Sequence, residues 1–249
     1  MMTESSFDIL IIAPEAWAPG SEPYILETPY GAVRARLHSL GALWLAWVDA
    51  AASPFAALHA AKAAGASRVV ELAPVAARNR LLEMGDLLLP SDLVDRTYLP
   101  RYTFFAGKGY GFLAQREPFC PALRGALLDA ARSRSPRVFA RGVYLAAESA
   151  SAADSEPIWE ADVAGSGVVP ASFLARELEL CYAPLCVVAL TPGPSPTAVG
   201  EGGRIALADM VADALGRLPD ERACVCAGAM RQYRDRGDIG DDWRTWVAV

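Results

Sequence analysis

Four apolar runs set the limits on what this chain can become. They are Asp8-Ile-Leu-Ile-Ile12, Leu43-Trp-Leu-Ala-Trp-Val48, Arg68-Val-Val-Glu-Leu72 and the stretch 182–190, and segments with helical spacing separate them. A strand that is apolar along its length must be covered on both faces. Alternation with helices therefore predicts a largely parallel sheet with helices on each side. The expected helices are Ser53-capped, with Pro54 at the first helical position, running through Ala64 to a stop at Gly65; 121–132; about 170–180; and 204–218. Further strands are expected at 85–89 and 138–147. One segment breaks the rhythm: Thr191-Pro-Gly-Pro-Ser-Pro-Thr-Ala-Val-Gly-Glu-Gly-Gly203 holds three Pro and four Gly, and is expected to be a mobile surface loop. The whole of 1–249 is read as one domain.

Composition narrows the function classes. With 53% apolar residues in 249, the chain can bury one large core, and no apolar run is long enough to span a membrane. Net charge is −6 with no basic block, so neither nucleic acid nor a membrane is an expected partner. The segment 1–8 lacks a basic region, which argues against a signal peptide. Five cysteines in a chain of this size fit a reducing compartment, and a cytoplasmic location is expected. Arg outnumbers Lys by 21 to 2, as a GC-rich genome would produce.

A series of short motifs lies along this frame. Thr28-Pro-Tyr-Gly31, Gly85-Asp86, Asp95-Arg-Thr97, Thr103-Phe-Phe105 and Glu117-Pro-Phe-Cys-Pro121 come first. Ala161-Asp-Val163, Val169-Pro170, Leu174-Ala-Arg-Glu177 and Cys181-Tyr-Ala183 follow. In this order and spacing they resemble the trimeric purine nucleoside phosphorylases, and most nearly the methylthioadenosine phosphorylases. The resemblance implies a three-layer α/β/α fold around a mixed, partly barrel-like sheet. It also implies assembly as a trimer or a dimer of trimers. Cys224-Val-Cys226 falls where some archaeal members carry a Cys-x-Cys pair.

The family's chemistry requires an anion site for phosphate, a grip on the ribose and a proton donor for the purine. At the matching positions this chain differs. The glycine-rich phosphate turn after the first strand reads Ala13-Pro-Glu-Ala16, so Pro14 removes an amide and Glu15 adds a carboxylate. The Arg-His element reads Trp47-Val-Asp49, and the next turn reads Glu71-Leu-Ala-Pro-Val75. Glu15, Asp49 and Glu71 thus mark a former phosphate site. The base-stacking segment reads Glu148-Ser-Ala-Ser-Ala152, the sugar-lining stretch Gly165-Ser166-Gly167, and the purine-N7 donor Thr191-Pro192. Phe112 falls near the position where a neighbouring subunit contributes to the sugar pocket. Phe112, Glu148, Gly165, Ser166, Gly167 and Thr191 are the remaining candidate ligand-binding residues; no catalytic residue is assigned.

The resemblance therefore leads to the expectation of a phosphorylase-like protein that has lost phosphorolysis. It would keep at most a nucleoside-sized pocket, or serve as a homo- or hetero-oligomeric partner of an active paralogue. The alternative is an active nucleoside-cleaving enzyme, either a hydrolase using Glu15 or Glu71 as general base or a phosphorylase with a rebuilt site. No cofactor and no metal are expected. The three acids are read as solvent-facing or paired with Arg, with a cation site as the alternative. Cys224 and Cys226 are read as small buried hydrophobes, with a disulfide or a metal site as the alternative. Cys181 and Cys186 are read as core, His38 and His59 as structural, and Trp243 and Trp246 as docked on the body.

Overall fold

Strand β1 (Ile9–Ala13) is buried along its whole length, and that burial requires a neighbour on each edge. β4 (Leu43–Asp49) and β5 (Arg68–Ala77) supply them, both parallel to it. β11 (Cys181–Val188), also wholly buried, lies parallel to the other edge of β5. The computed structural model describes residues 6–18, 21–108, 113–148, 161–189 and 201–247, with backbone alone at 40 and 201–206. Beyond β4, β3 (Val33–Leu40) and β2 (Pro23–Leu26) add antiparallel ladders. The far end of β5 turns to a second partner, β10 (Val163–Gly165), through Ala76 and Ala77. From there β9 (Val143–Ala147) and β7 (Asp92–Arg96) follow in parallel. β6 (Leu87–Leu88) borders β11, and β8 (Val138–Phe139) borders β6.

The sheet thus has eleven strands, is mixed, and branches at β5. It does not close: among the described residues no ladder joins the outer strands β2, β7 and β8. The mixed, partly barrel-like sheet expected from the sequence is matched by a mixed sheet that is open and branched. β5 bends away to a second ladder, and no ring forms.

Alternation along each strand sorts side chains into two cores. Leu10, Ile12, Ala46, Val48 and Val69 face one layer, covered by α1 (Pro54–Ala63) and α3 (Ala171–Glu177). Ile9, Ile11, Leu45, Trp47, Val70 and Leu72 face the other, covered by α2 (Pro121–Arg132) and α4 (Glu201–Gly216). Each such aliphatic side chain contributes roughly 1.5–3 kcal/mol by leaving water. Ser53 caps α1 by accepting from the Ala56 N–H at 3.4 Å, with Pro54 beside it, as its sequence predicts. α2 has the predicted bounds. The predicted strand over 138–147 is split, because the chain turns out of the sheet between Phe139 and Val143. α4 begins at Glu201, so the last three residues of the predicted 191–203 loop are helical. Packing of Met210, Val211 and Ala214 on the sheet holds that helix despite Gly202 and Gly203 at its start. Residues 191–200 lie outside the described residues.

The C-terminal segment folds back onto the body through α5 (Arg231–Asp235) and α6 (Trp243–Trp246). The rings of Trp243 and Trp246 lie 6.4 and 6.2 Å from that of Phe105. Arg244 donates to Glu179 at 2.9 Å. His59 is buried, 5.4 Å from the Tyr30 ring, which fits its structural reading. Among the described residues no helix is long and apolar enough to cross a membrane.

Glu177 joins α3 to the segment that follows β7. The Thr103 hydroxyl and the Phe104 N–H both donate to its carboxylate. Burial pushes this carboxyl up to about 7, with the two donors pulling part of the way back. The folded chain therefore holds a proton that the unfolded chain releases near the ordinary carboxyl value of 4.5. The stability contributed by protonated Glu177 is complete below that value and is lost as pH rises towards 7. Urea unfolding free energy should fall across this window, by at most about 1.4 kcal/mol per pH unit for one proton. Glu177→Gln should remove that component of the slope, and an unchanged pH profile in the variant would contradict the assignment.

Candidate functional site

The carboxyl ends of parallel strands are where open α/β sheets bind ligands, and here β1, β4 and β5 end side by side. After β1, Pro14 leads into a single 3-10 turn, Glu15–Trp17, which buries Trp17 in the core below. Glu15 accepts from Arg36 of β3 at 3.1 Å through Nε, and Nη2 pairs with the same carboxylate oxygen. Arg36 also donates to the Ser21 carbonyl. Asp49 ends β4 opposite Ala13, and its carboxylate accepts from the Ala51 N–H at 3.0 Å.

Glu71 lies elsewhere. It pairs in register with Ile12, which faces the α1/α3 layer. Asp49 pairs with Ala13, which faces the α2/α4 layer. The sheet thus puts Glu71 on the face opposite Asp49. Glu71 is 4% exposed, and both carboxylate oxygens are occupied. The Val168 N–H donates to Oε1 at 2.9 Å and the Tyr182 hydroxyl donates to Oε2. Burial raises its carboxyl above the usual range, with the two donors opposing. Glu71 is neither solvent-facing nor paired with Arg, as its sequence reading had it.

The space around Glu71 is taken by the segment that carries Gly165, Ser166 and Gly167. The Tyr144 hydroxyl donates to the Gly167 carbonyl at 3.2 Å. A Cβ built on Gly165 would meet the Tyr144 hydroxyl, and one on Gly167 would meet Glu71 Oε1. Two large polar side chains from neighbouring strands thus occupy the volume that side chains at 165 and 167 would fill. The next residue, Val168, adopts a left-handed φ of 72°. Tyr144, Tyr182 and Cys186 are all raised well above their usual values, chiefly by burial. Burial thus disfavours the charged form of every one of these groups.

Of the candidate residues, the structure brings together Glu71, Gly165 and Gly167. Ser166 and Glu148 are exposed. Phe112 and Thr191 lie outside the described residues. Tyr144 and Tyr182 escaped the sequence reading because each sits in an apolar strand and reads as core. The only available signal was two missing side chains at 165 and 167, which demand something to fill their place. A second grouping stands apart. The Sγ atoms of Cys120, Cys181, Cys224 and Cys226 all lie within 4.8 Å of one another.

Residues 41–209 match the family described as the phosphorylase superfamily. The chain belongs to that superfamily. It is 27% identical over 187 residues to the S-methyl-5'-thioadenosine phosphorylase of Thermofilum pendens, covering 70% of this chain and 71% of that protein. It is 30% identical over 188 residues to a probable 6-oxopurine nucleoside phosphorylase of Thermococcus kodakarensis, covering 67% and 70%. Its fold matches a methylthioadenosine phosphorylase sourced from an antarctic soil metagenomic library, with a TM-score of 0.78 at 21% identity over 92% of each chain. A methylthioadenosine phosphorylase from Schistosoma mansoni, in complex with tubercidin, matches with a TM-score of 0.74 at 17% identity, covering 92% and 97%.

The motifs that carry the resemblance hold the fold to itself. Asp86 takes Arg137 at 2.8 Å and the Glu83 N–H at 2.7 Å. Asp162 takes Asn79 at 2.7 Å and the Val143 N–H at 2.8 Å. Glu177 takes Thr103, and the Cys120 N–H donates to the Tyr182 carbonyl at 2.8 Å. Thr28 accepts from the Tyr30 N–H and donates to the carbonyl of Gly31, whose φ of 111° closes that turn.

The filled volume makes a direct prediction. Gly167→Ala should lower stability by about 1–3 kcal/mol, the usual range for overpacking a core. The same substitution made in a Glu71→Ala background should cost measurably less, because the atom it strikes has gone. Equal costs in the two backgrounds, measured by urea unfolding, would show that Glu71 does not occupy that space.

Proposed function

We propose that this superfamily member keeps the nucleoside phosphorylase scaffold and no longer cleaves nucleosides with phosphate. The observation that carries the reading is the filling of the 165–167 segment from within. The resemblance places the sugar-lining residues there, and Glu71 and Tyr144 occupy the room those side chains would need. The phosphate side agrees. Pro14 withdraws an amide from the first turn, and the nearby guanidinium of Arg36 is engaged by Glu15. A phosphate charge about 4 Å from a carboxylate meets roughly 4 kcal/mol of repulsion at an effective dielectric near 20.

A hydrolytic role for Glu71 or Glu15 gains no support. A general base must present a free lone pair to water in a pocket, whereas both oxygens of Glu71 are engaged inside the fold. Glu15 is held by Arg36 at the surface. We further propose assembly with copies of this chain, or with an active paralogue, in the trimeric arrangement the resemblance implies. Leu81, Met84 and Tyr98, exposed at 70, 55 and 80%, supply apolar surface for such contacts.

A thermal-shift titration tests the reading. The purified protein is heated with methylthioadenosine, adenosine, inosine or adenine, each with and without phosphate. A ligand at about 100 times its Kd should add roughly 2.7 kcal/mol of stability. The expected result is that phosphate neither stabilises the protein alone nor enlarges any shift caused by a nucleoside. A nucleoside shift that grows with phosphate would restore the phosphorylase reading.

A further inference from the structure

Four of the five cysteines converge from three distant parts of the chain. Cys120 is the residue that caps α2, and Cys181 opens β11. Cys224 and Cys226 flank Val225 where a 3-10 turn, Val225–Gly228, begins. Their Sγ atoms lie within 4.8 Å of one another, with Cys181 and Cys224 at 3.3 Å. All are free thiols. A tetrahedral zinc ion bonds sulfur at about 2.3 Å, which sets the edge of its thiolate tetrahedron at about 3.8 Å. The observed spacing brackets that edge. We propose that Cys120, Cys181, Cys224 and Cys226 form a tetrathiolate site for zinc or a divalent ion of similar softness.

The frame around the thiols is already fixed. The Cys120 N–H donates to the Tyr182 carbonyl at 2.8 Å, and the Arg124 N–H returns to the Cys120 carbonyl at 2.9 Å. The Cys181 N–H donates to the Ser67 carbonyl at 3.0 Å. The two C-terminal thiols sit on a turn whose carbonyls at 224 and 226 accept from Ala227 and Ala229. Binding would therefore order little that is not ordered already, apart from the four χ1 rotamers.

Positive groups face two of the four sulfurs. Cys120 stands at the N-terminus of a helix of 12 residues, where unpaired N–H groups and the helix dipole stabilise negative charge. Arg222 places Nη1 3.9 Å from Cys181 Sγ and is itself anchored on the Glu179 carbonyl at 2.7 Å. Four thiolates around a divalent ion leave two negative charges, and this guanidinium offsets one. The donor set is sulfur alone, which selects zinc and its soft neighbours over magnesium or calcium. A narrow recess of about 10 Å³, partly open to solvent and lined by Cys120, Cys226, Arg176 and Tyr182, borders the cluster.

Loading is a proton exchange without redox change. Four Zn–S bonds form, each thiol that still carries a proton releases it to solvent, and no electrons move. The product would tie the 224–226 turn to the starts of α2 and β11, closing the chain's last quarter onto its centre. Two disulfides are the competing chemistry. They would need an oxidant and would divide the four sulfurs into separate pairs, whereas here they share one locus.

The test uses the full chain, purified under reducing conditions without chelator. Elemental analysis should find about one zinc per chain. Cys226→Ser and Cys120→Ser should lose most of it, while Cys186→Ala, whose thiol is buried outside the cluster, should retain it. Because a ligand variant can misfold, the unsubstituted chain is also loaded with cobalt(II). Its spectrum should show sulfur-to-cobalt charge transfer and the visible bands of a tetrahedral ion. A reduced, folded chain that takes up neither zinc nor cobalt would overturn the proposal. So would a chain whose four thiols resist alkylation until a disulfide reductant is added.

Discussion

Strand β5 is the constraint on which the rest of the molecule depends. Its first four residues lie between β1 and β11, β11 follows it on to Val75, and its last two turn to β10. A strand in that position is covered on both faces and both edges, so a polar side chain within it must find its partners inside the protein. Glu71 is that side chain. Tyr182 and the Val168 N–H satisfy it, and those bonds fix β11 and the 165–168 segment against the sheet. Removing the carboxylate alone would leave a buried hydroxyl and a buried N–H without partners, a cost of about 1–3 kcal/mol each.

The same arrangement separates scaffold from site. Asp86, Asp162, Glu177 and the Cys120 backbone each close a contact between elements, and any descendant of the fold has reason to keep them. Pro14, Glu15, Asp49, Gly165 and Gly167 sit instead where the resemblance places ligand. There the chain has turned towards self-contact: Glu15 to Arg36, Asp49 to its own turn, Glu71 and Tyr144 into the space beneath two glycines. Fold and chemistry are separable in this way because different residues carry them.

Much of the fold was legible because burial writes itself into sequence. β1, β4 and β11 are apolar runs, and α1 announces itself through Ser53 and Pro54. The edge strands were not legible. β3 alternates Arg34, Arg36 and His38 with apolar residues, and β7 is mostly charged, so neither forms an apolar run. At the candidate site, the departures from the family's motifs could be read position by position, but what replaced them could not. Glu71 looked like one of three clustered acids because sequence does not say which face of a sheet a residue takes; register does. The four cysteines were equally hidden. Only Cys224 and Cys226 are neighbours in sequence, and the fold alone brings Cys120 and Cys181 to them.

We propose above all that a nucleoside phosphorylase scaffold survives here without its phosphate-dependent chemistry. The most direct measurement is chromatographic detection of free purine from methylthioadenosine, adenosine, inosine and guanosine, with phosphate varied from zero to saturating levels. No base release above the protein-free control is expected at any phosphate concentration. Base release that rises and saturates with phosphate, accompanied by the matching sugar 1-phosphate, would contradict it.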